Sequence, residues 1–178
     1  MQIEAGKTLY GVLVYLLNEN PGGWESDYVC LAKKKKKIGK GLLNGYGGGV
    51  KKGETSLQAA VRELREESGL EVLAQHLEYV GTLFFHNQIS KNETCDVQVN
   101  VFTLWRKNRN GEPVETKEMG PPQWFSLKRM PFEHMMVGDR EFLPRLFYHP
   151  KKLRVEVWYN KNQTALVAQT TYHDLEPK

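Results

Sequence analysis

Residues 9–17 (LYGVLVYLL) are apolar almost without interruption and rich in branched and aromatic side chains. A stretch of that length reads as a buried strand. Residues 18–27 hold Pro21, Gly22 and Gly23 and read as an exposed loop, after which residues 28–32 resume as a second strand pairing with the first. Further on, Leu57, Val61 and Leu64 recur at helical spacing. Thr55 and Gln58 have the spacing of a capping box, and Gly69 stands where a left-handed C-terminal cap belongs. This predicts a helix opened by Thr55 and closed at Gly69, with its apolar stripe toward the core.

Residues 77–85 and 96–106 read as strands, the second alternating Val97, Val99 and Val101. Residues 108–111 suggest a turn, 115–122 a loop, 123–126 a short strand, and 132–147 a largely helical segment around Pro144. The tail offers strand-like runs at 153–159 and 164–172 joined by a polar turn at 160–163. With no repeat, low-complexity segment or linker, a single mixed α/β domain over residues 1–178 is expected.

Composition changes this picture little. The net charge of +4 permits attraction of anionic nucleotides but is too small for a duplex nucleic-acid binder. Two cysteines, Cys30 and Cys95, are too few for a disulfide scaffold or a zinc site and read as free buried thiols in a reducing compartment. No stretch reaches the roughly 18 apolar residues of a membrane span, and the N-terminus lacks a signal-peptide core. A cytoplasmic monomer, with no membrane contact and no stable nucleic-acid complex, is the expectation.

Candidate chemistry lies in two segments. Five consecutive lysines occupy positions 33–37, a run that is most often solvated, with Lys34 the candidate phosphate contact. Gly39, Gly41, Gly45 and Gly47 to Gly49 follow, dense enough to suggest close approach of the backbone to a ligand. The predicted helix then carries Glu63 and Glu67 four residues apart, on one face away from the apolar stripe, with Glu66 beside them. Carboxylates so placed suit Mg2+, which takes hard oxygen ligands, retains water and relieves the charge of a phosphate chain. Mn2+ is its expected substitute. A run such as RELREE alone would more often be a surface face with weak ion pairs.

Residues 48–70, GGVKKGETSLQAAVRELREESGL, resemble a complete Nudix box, G-x5-E-x7-R-E-U-x-E-E-x-G-U with U a bulky apolar residue. The matching positions are Gly48, Glu54, Arg62, Glu63, Leu64, Glu66, Glu67, Gly69 and Leu70. The resemblance implies an α/β/α sandwich with a mixed sheet between helices, a pyrophosphohydrolase activity on nucleoside diphosphate derivatives, and metal held by Glu63, Glu67 and Glu66. It also implies a metal-facing carbonyl from Gly47 or Gly48. Glu54 and Arg62 are expected to pair and lock the loop to the helix.

From Leu9 to Tyr172 the chain is also similar to the MutT-type oxidised-purine nucleoside triphosphatases, the 8-oxo-dGTP diphosphatase group. The shared stretches are LNGYGGGV, GEPVETKEM and WFSLKRMPF. That likeness implies a purine contact from Asn44, whose amide offers both donor and acceptor; an Asn-Gly turn is the competing reading. It implies a further metal-site or water-activating carboxylate at Glu118. Where the family has Trp-Pro-Asp-Asp beside the base, this chain has Met136, Val137, Gly138 and Asp139. Met136 then packs on a purine face or in the core, and Asp139 binds the base edge or opens a helix in solvent. Ile38 replaces a pocket aromatic.

The leading expectation is a Mg2+-dependent enzyme that converts oxidised purine nucleoside triphosphates, small-molecule nucleotides, to monophosphate and pyrophosphate. The alternatives are a Nudix hydrolase of ADP-ribose, a nucleotide sugar, a dinucleoside polyphosphate or an RNA 5′ end, and an inactive nucleotide-binding sensor.

Overall fold

The structure, a computed structural model, describes residues 8–20, 27–90 and 93–175. The expected loop residues Pro21, Gly22 and Gly23 lie outside them. In chain order the elements are β1 (Thr8–Asn18), β2 (Tyr28–Lys33), β3 (Leu43–Asn44), β4 (Tyr46–Gly49), α1 (Ser56–Ser68), β5 (Glu78–Ser90), β6 (Glu93–Trp105), β7 (Gln123–Ser126), α2 (Asp139–Tyr148), β8 (Leu153–Tyr159) and β9 (Thr171–Asp174).

The strands form one mixed sheet in the order β3-β2-β1-β6-β5-β8-β9, with β4 also paired to β1 and β7 to β2. β1 runs parallel to β6, and β5 parallel to β8; the other pairs are antiparallel. Tyr15 and Leu17 of β1 enter one core with Phe142, Leu143 and Leu146 of α2. Val12, Val14 and Leu16 enter the other with Ala59, Ala60 and Leu64 of α1. The central strand is therefore covered on both faces, which is why its sequence is a continuous apolar run rather than an alternation. One helix on each face of a mixed sheet is the expected α/β/α sandwich.

β3 and β4 were not expected from the sequence, and two expected elements are shortened. The helix expected over 132–147 begins only at Asp139, preceded by a short 3-10 turn at Phe132–His134. The Asp139 carboxylate folds back to accept the Met136 N–H at 3.1 Å, and Gly138 takes the N-cap position. The strand expected over 164–172 is reduced to Thr171–Asp174. Asn160 Oδ1 accepts the backbone N–H groups of Thr164 and Ala165, and those local bonds compete with a ladder. Cys30 and Cys95 are both buried and free of disulfide.

Candidate active site

Helix α1 is anchored at both ends. Thr55 accepts the Gln58 N–H while the Gln58 side chain accepts the Thr55 N–H, and Gly69 closes the helix at φ 74°. The capping box satisfies two otherwise orphaned donors and fixes where the first turn starts. The face carrying Glu63 and Glu67 then lies against β4, where neither carboxylate is solvated: their residues are 6% and 2% exposed.

Glycine in β4 is what lets strand and helix come so close. A Cβ on Gly48 would stand 2.6 Å from Glu63 Oε2, and one on Gly47 would stand 2.0 Å from the Val12 carbonyl oxygen. The Gly47 N–H donates to Glu67 Oε2 at 2.8 Å. Burial pushes the Glu67 carboxyl above its ordinary range, opposed by the Lys34 ammonium and the Gly47 N–H. Lys34 Nζ lies 3.8 Å from Glu67 Oε1.

Arg62 is the hub of the helix face. Its Nε and Nη2 donate to Glu54 at 2.7 and 2.8 Å, its Nη1 to Glu63 at 2.6 Å and Glu66 at 3.2 Å, and its Nη2 also to the Gly49 carbonyl at 2.9 Å. A guanidinium has five N–H donors, and all are engaged. Hydrogen bonds from Arg62, and then from the Lys51 N–H, hold the Glu54 carboxyl down at about 2. The pair expected between Glu54 and Arg62 is thus present, and Arg62 in addition touches Glu63 directly.

The three glutamates are not equivalent. The Glu66 side chain is 46% exposed and meets Arg62 and Lys51, outside the buried pair. Among the described residues no three His, Cys, Asp or Glu side chains converge as a preformed metal-ligating group; Glu63 and Glu66 meet on Arg62 Nη1, while Glu67 turns to the Gly47 N–H. The donor set nevertheless fits a hard divalent cation. Mg2+ is commonly held by one or two carboxylates, with the rest of its sphere taken from water and substrate phosphates. Two carboxylates against the glycine strand β4 make such a half-shell, and Glu67, largely buried, already draws a positive charge, the Lys34 ammonium 3.8 Å away.

A second wall is built by the lysine run and the loop after β6. Lys35 Nζ donates to Glu115 Oε1 and to the Thr116 carbonyl, both at 2.6 Å, and Lys37 Nζ lies 3.2 Å from Glu118 Oε2. The run is therefore not simply solvated. Thr116 Oγ1 donates to the Glu67 carbonyl at 3.2 Å, which ties that loop to the end of α1.

On the α2 side of the sheet lies a third group. Asn44 ends β3 rather than forming a turn, and its Oδ1 accepts from Gly45 N–H at 2.8 Å and from the Tyr15 hydroxyl at 3.4 Å. Asp139 is 5% exposed, not the solvated helix start that was the bland alternative. Burial pushes its carboxyl up to about 7, with the Met136 N–H opposing; burial first, and then the Asp139 charge, raises the hydroxyl pKa of Tyr15 and Tyr159. Met136 is half-buried; its neighbour Met135, 4% exposed, is the core residue. A Cβ on Gly39 would lie 3.7 Å from both Lys34 Cδ and Met136 Sδ, so the lysine loop and the segment before α2 meet. Ile38, 49% exposed, lines a cleft with Asn87 and Gln163. Tyr15, Tyr159, Lys35 and Lys37 were not singled out by sequence reasoning. A hydroxyl-bearing ring inside an aliphatic strand marked Tyr15; beyond Lys34, nothing distinguished one lysine of the run from the next.

The NUDIX domain family profile matches residues 7–146, most of the chain. The chain belongs to the Nudix family. It is 42% identical over 116 residues to the oxidized purine nucleoside triphosphate hydrolase of Danio rerio, covering 65% of this chain and 69% of that protein. Its identity to the protein of the same name from Mus musculus is 39% over 123 residues, 69% of this chain and 74% of that one. In fold, this Nudix chain is similar to a MutT protein from Bacillus halodurans, with a TM-score of 0.73 at 18% identity over 92% of this chain and 97% of that one. Among the described residues no helix is long and apolar enough to cross a membrane.

Proposed function

We propose that this chain hydrolyses oxidised purine nucleoside triphosphates such as 8-oxo-dGTP to the monophosphate and pyrophosphate, clearing damaged nucleotides from the pool. Water adds to one phosphorus of the chain, the bridging P–O bond breaks, and the two phosphate products carry away the proton released. The observation that carries this reading is the buried Glu63–Glu67 pair pressed against Gly47 and Gly48 at the end of a capped helix. Support for the substrate comes from the two relatives that bear the oxidized-purine name.

Glu63 and Glu67 would hold Mg2+, or Mn2+ in its place, with the Gly47 or Gly48 carbonyl beside them and Glu118 at the rim. Bound there, the cation supplies charge neutralisation for the phosphates and activation of the attacking water. Arg62 holds Glu63 in place and keeps Glu54 and the loop before α1 fixed. Glu66, exposed on the outer edge, is placed to steer water or share a second cation. Lys34 faces the phosphate chain. Asn44 and Asp139 read the base edge, and Asp139 can donate as well as accept near neutral pH. Met136 covers one face of the ring. One domain over residues 1–178, acting as a cytoplasmic monomer on a small-molecule nucleotide, completes the proposal; two buried cysteines outside any disulfide accord with a reducing compartment.

The test is a panel of 8-oxo-dGTP, 2-hydroxy-dATP, dGTP, ADP-ribose and a dinucleoside polyphosphate, assayed for pyrophosphate or phosphate products with and without Mg2+. The expected result is metal-dependent turnover with the highest kcat/KM on the oxidised purines. Equal constants for the three purine triphosphates remove the sanitation role. Faster turnover of ADP-ribose or the dinucleotide moves the substrate, and tight binding without turnover makes the chain a sensor.

A further inference from the structure

Glu118 sits on a loop whose backbone is fastened at several points. Lys35 N–H donates to the Glu118 carbonyl and Gly120 N–H to the Lys33 carbonyl, both at 2.8 Å, and the Glu118 N–H donates to Thr116 Oγ1 at 3.2 Å. Lys35 clamps Glu115 and the Thr116 carbonyl from the other side. What is left to change at Glu118 is the partner of its carboxylate, and that partner is Lys37.

Lys37 is placed there at a backbone cost. Its φ is 59°, in the left-handed region that glycine adopts freely and other residues enter at a cost of about 1 kcal/mol or more. It closes a tight loop in which Lys40 N–H donates to the Lys37 carbonyl at 3.2 Å and Gly41 N–H to the Lys34 carbonyl at 2.8 Å. Glycines fill the other left-handed positions, Gly39 and Gly41, so a lysine at position 37 trades backbone comfort for its side chain. The Lys37 ammonium feels Glu118 first, and the buried carboxylates Glu63 and Glu67 as well. It therefore lies within the field of the whole acidic site. Arg62 and Lys34, the other cations near these carboxylates, have side chains only 13% and 11% exposed and little room; the Lys37 side chain is 64% exposed and free to swing away.

We propose that Lys37 is a built-in counter-ion of the carboxylate site: it holds Glu118 while no divalent cation is bound and releases that carboxylate when one arrives. This rests on the cation reading of Glu63, Glu67 and Glu118 given above. A solvent-facing ion pair of this kind is weak enough to exchange. Its consequences are a less self-repelling site without metal, a Glu118 carboxylate kept at the rim, and a lysine freed to face the phosphate chain. Lys37 is a positioning residue under this proposal.

The experiment titrates Mn2+ calorimetrically into nucleotide-free wild type, Lys37→Met, Lys37→Gly and Lys36→Met. Removing the competing ammonium should tighten Mn2+ binding by about two- to fivefold in both Lys37 variants, the range of a surface ion pair. Lys36→Met loses the same charge one residue away and should match the wild type. If Lys37→Met folds poorly, Lys37→Gly carries the test, because glycine suits the backbone at that position. Unchanged or weaker binding in the Lys37 variants overturns the latch, as does equal tightening in Lys36→Met. Absence of saturable Mn2+ binding to wild type overturns the cation reading and the latch with it, whereas equal affinities overturn the latch alone.

Discussion

Arg62 clasps Glu54 through two parallel hydrogen bonds, Nε to Oε1 at 2.7 Å and Nη2 to Oε2 at 2.8 Å, while its Nη1 holds Glu63 at 2.6 Å. One planar cation thus joins the loop before α1 to a candidate metal ligand, an arrangement that a lysine cannot copy. Arg62→Lys should keep the fold, since its side chain, 13% exposed, lies outside both hydrophobic cores, yet loosen Glu63. The expected loss is roughly 10- to 100-fold in kcat/KM, the usual cost of disturbing a ligand's support. Circular dichroism unchanged with activity within twofold of wild type would remove Arg62 from the site.

Glu67→Gln separates stability from function. The Gly47 N–H that donates to Glu67 Oε2 at 2.8 Å can donate equally to an amide oxygen. Burial opposes the charge of this carboxyl, so a neutral side chain of the same shape should leave the metal-free Tm unchanged or higher. Turnover should fall by about 100-fold or more, because a ligand charge is lost. The rise in Tm that Mg2+ gives by mass action should shrink with it. A variant that is both less stable and fully active would contradict the assignment on both counts.

Neighbouring glycines give opposite expectations. A methyl on Gly47 meets the backbone of Val12, with the carbonyl oxygen only 2.0 Å away, so Gly47→Ala should splay β4 from β1 and lower stability by about 1–3 kcal/mol. A methyl on Gly48 meets the end of the Glu63 side chain at 2.6 Å, which can move. Gly48→Ala should therefore fold near-normally and lose activity. Urea melts and kcat/KM measured on both variants decide this; equal effects on stability would mean the strand–helix approach is not what requires glycine.

The helix and its box were legible because local signals fixed them: Thr55 with Gln58 at one end, Gly69 at the other, and a strict offset between Glu63 and Glu67. The central strand was legible because burial on both faces leaves no polar positions in residues 12–17. The sequence could not show that Glu66 turns outward to Lys51 while Glu67 turns in, since both lie within one residue of the same helical face. Nor could it separate Lys37 from Lys36, because the difference lies in where a distant loop brings Glu118. The strand expected over 164–172 failed over 164–170 for the same kind of reason. Apolar spacing argued for a ladder, and one side chain, Asn160, took the N–H groups that a ladder would have used.

Asp139 links pH to stability and, under the proposed base contact, to base choice. Burial pushes its carboxyl, which accepts the Met136 N–H and lies within the electrostatic reach of Tyr15 of β1 and Tyr159 of β8, from 3.8 to about 7. The folded chain therefore holds a proton that the unfolded chain releases near pH 4, and stability falls as pH rises from about 4 to about 7. Above that window the folded state carries a buried charge at a cost on the order of a few kcal/mol. Asp139→Asn removes the charge, so the Tm of this variant should gain on wild type as pH is raised from 5 to 8. In the proposed base contact, the same proton would decide whether residue 139 donates to or only accepts from the base edge. Wild-type preference for 8-oxo-dGTP over dGTP should then change between pH 6 and 8, while the Asn variant shows a flat ratio. Parallel pH profiles of Tm in the two proteins would show that Asp139 is ionised in the folded state throughout, and a flat wild-type ratio would remove it from base selection.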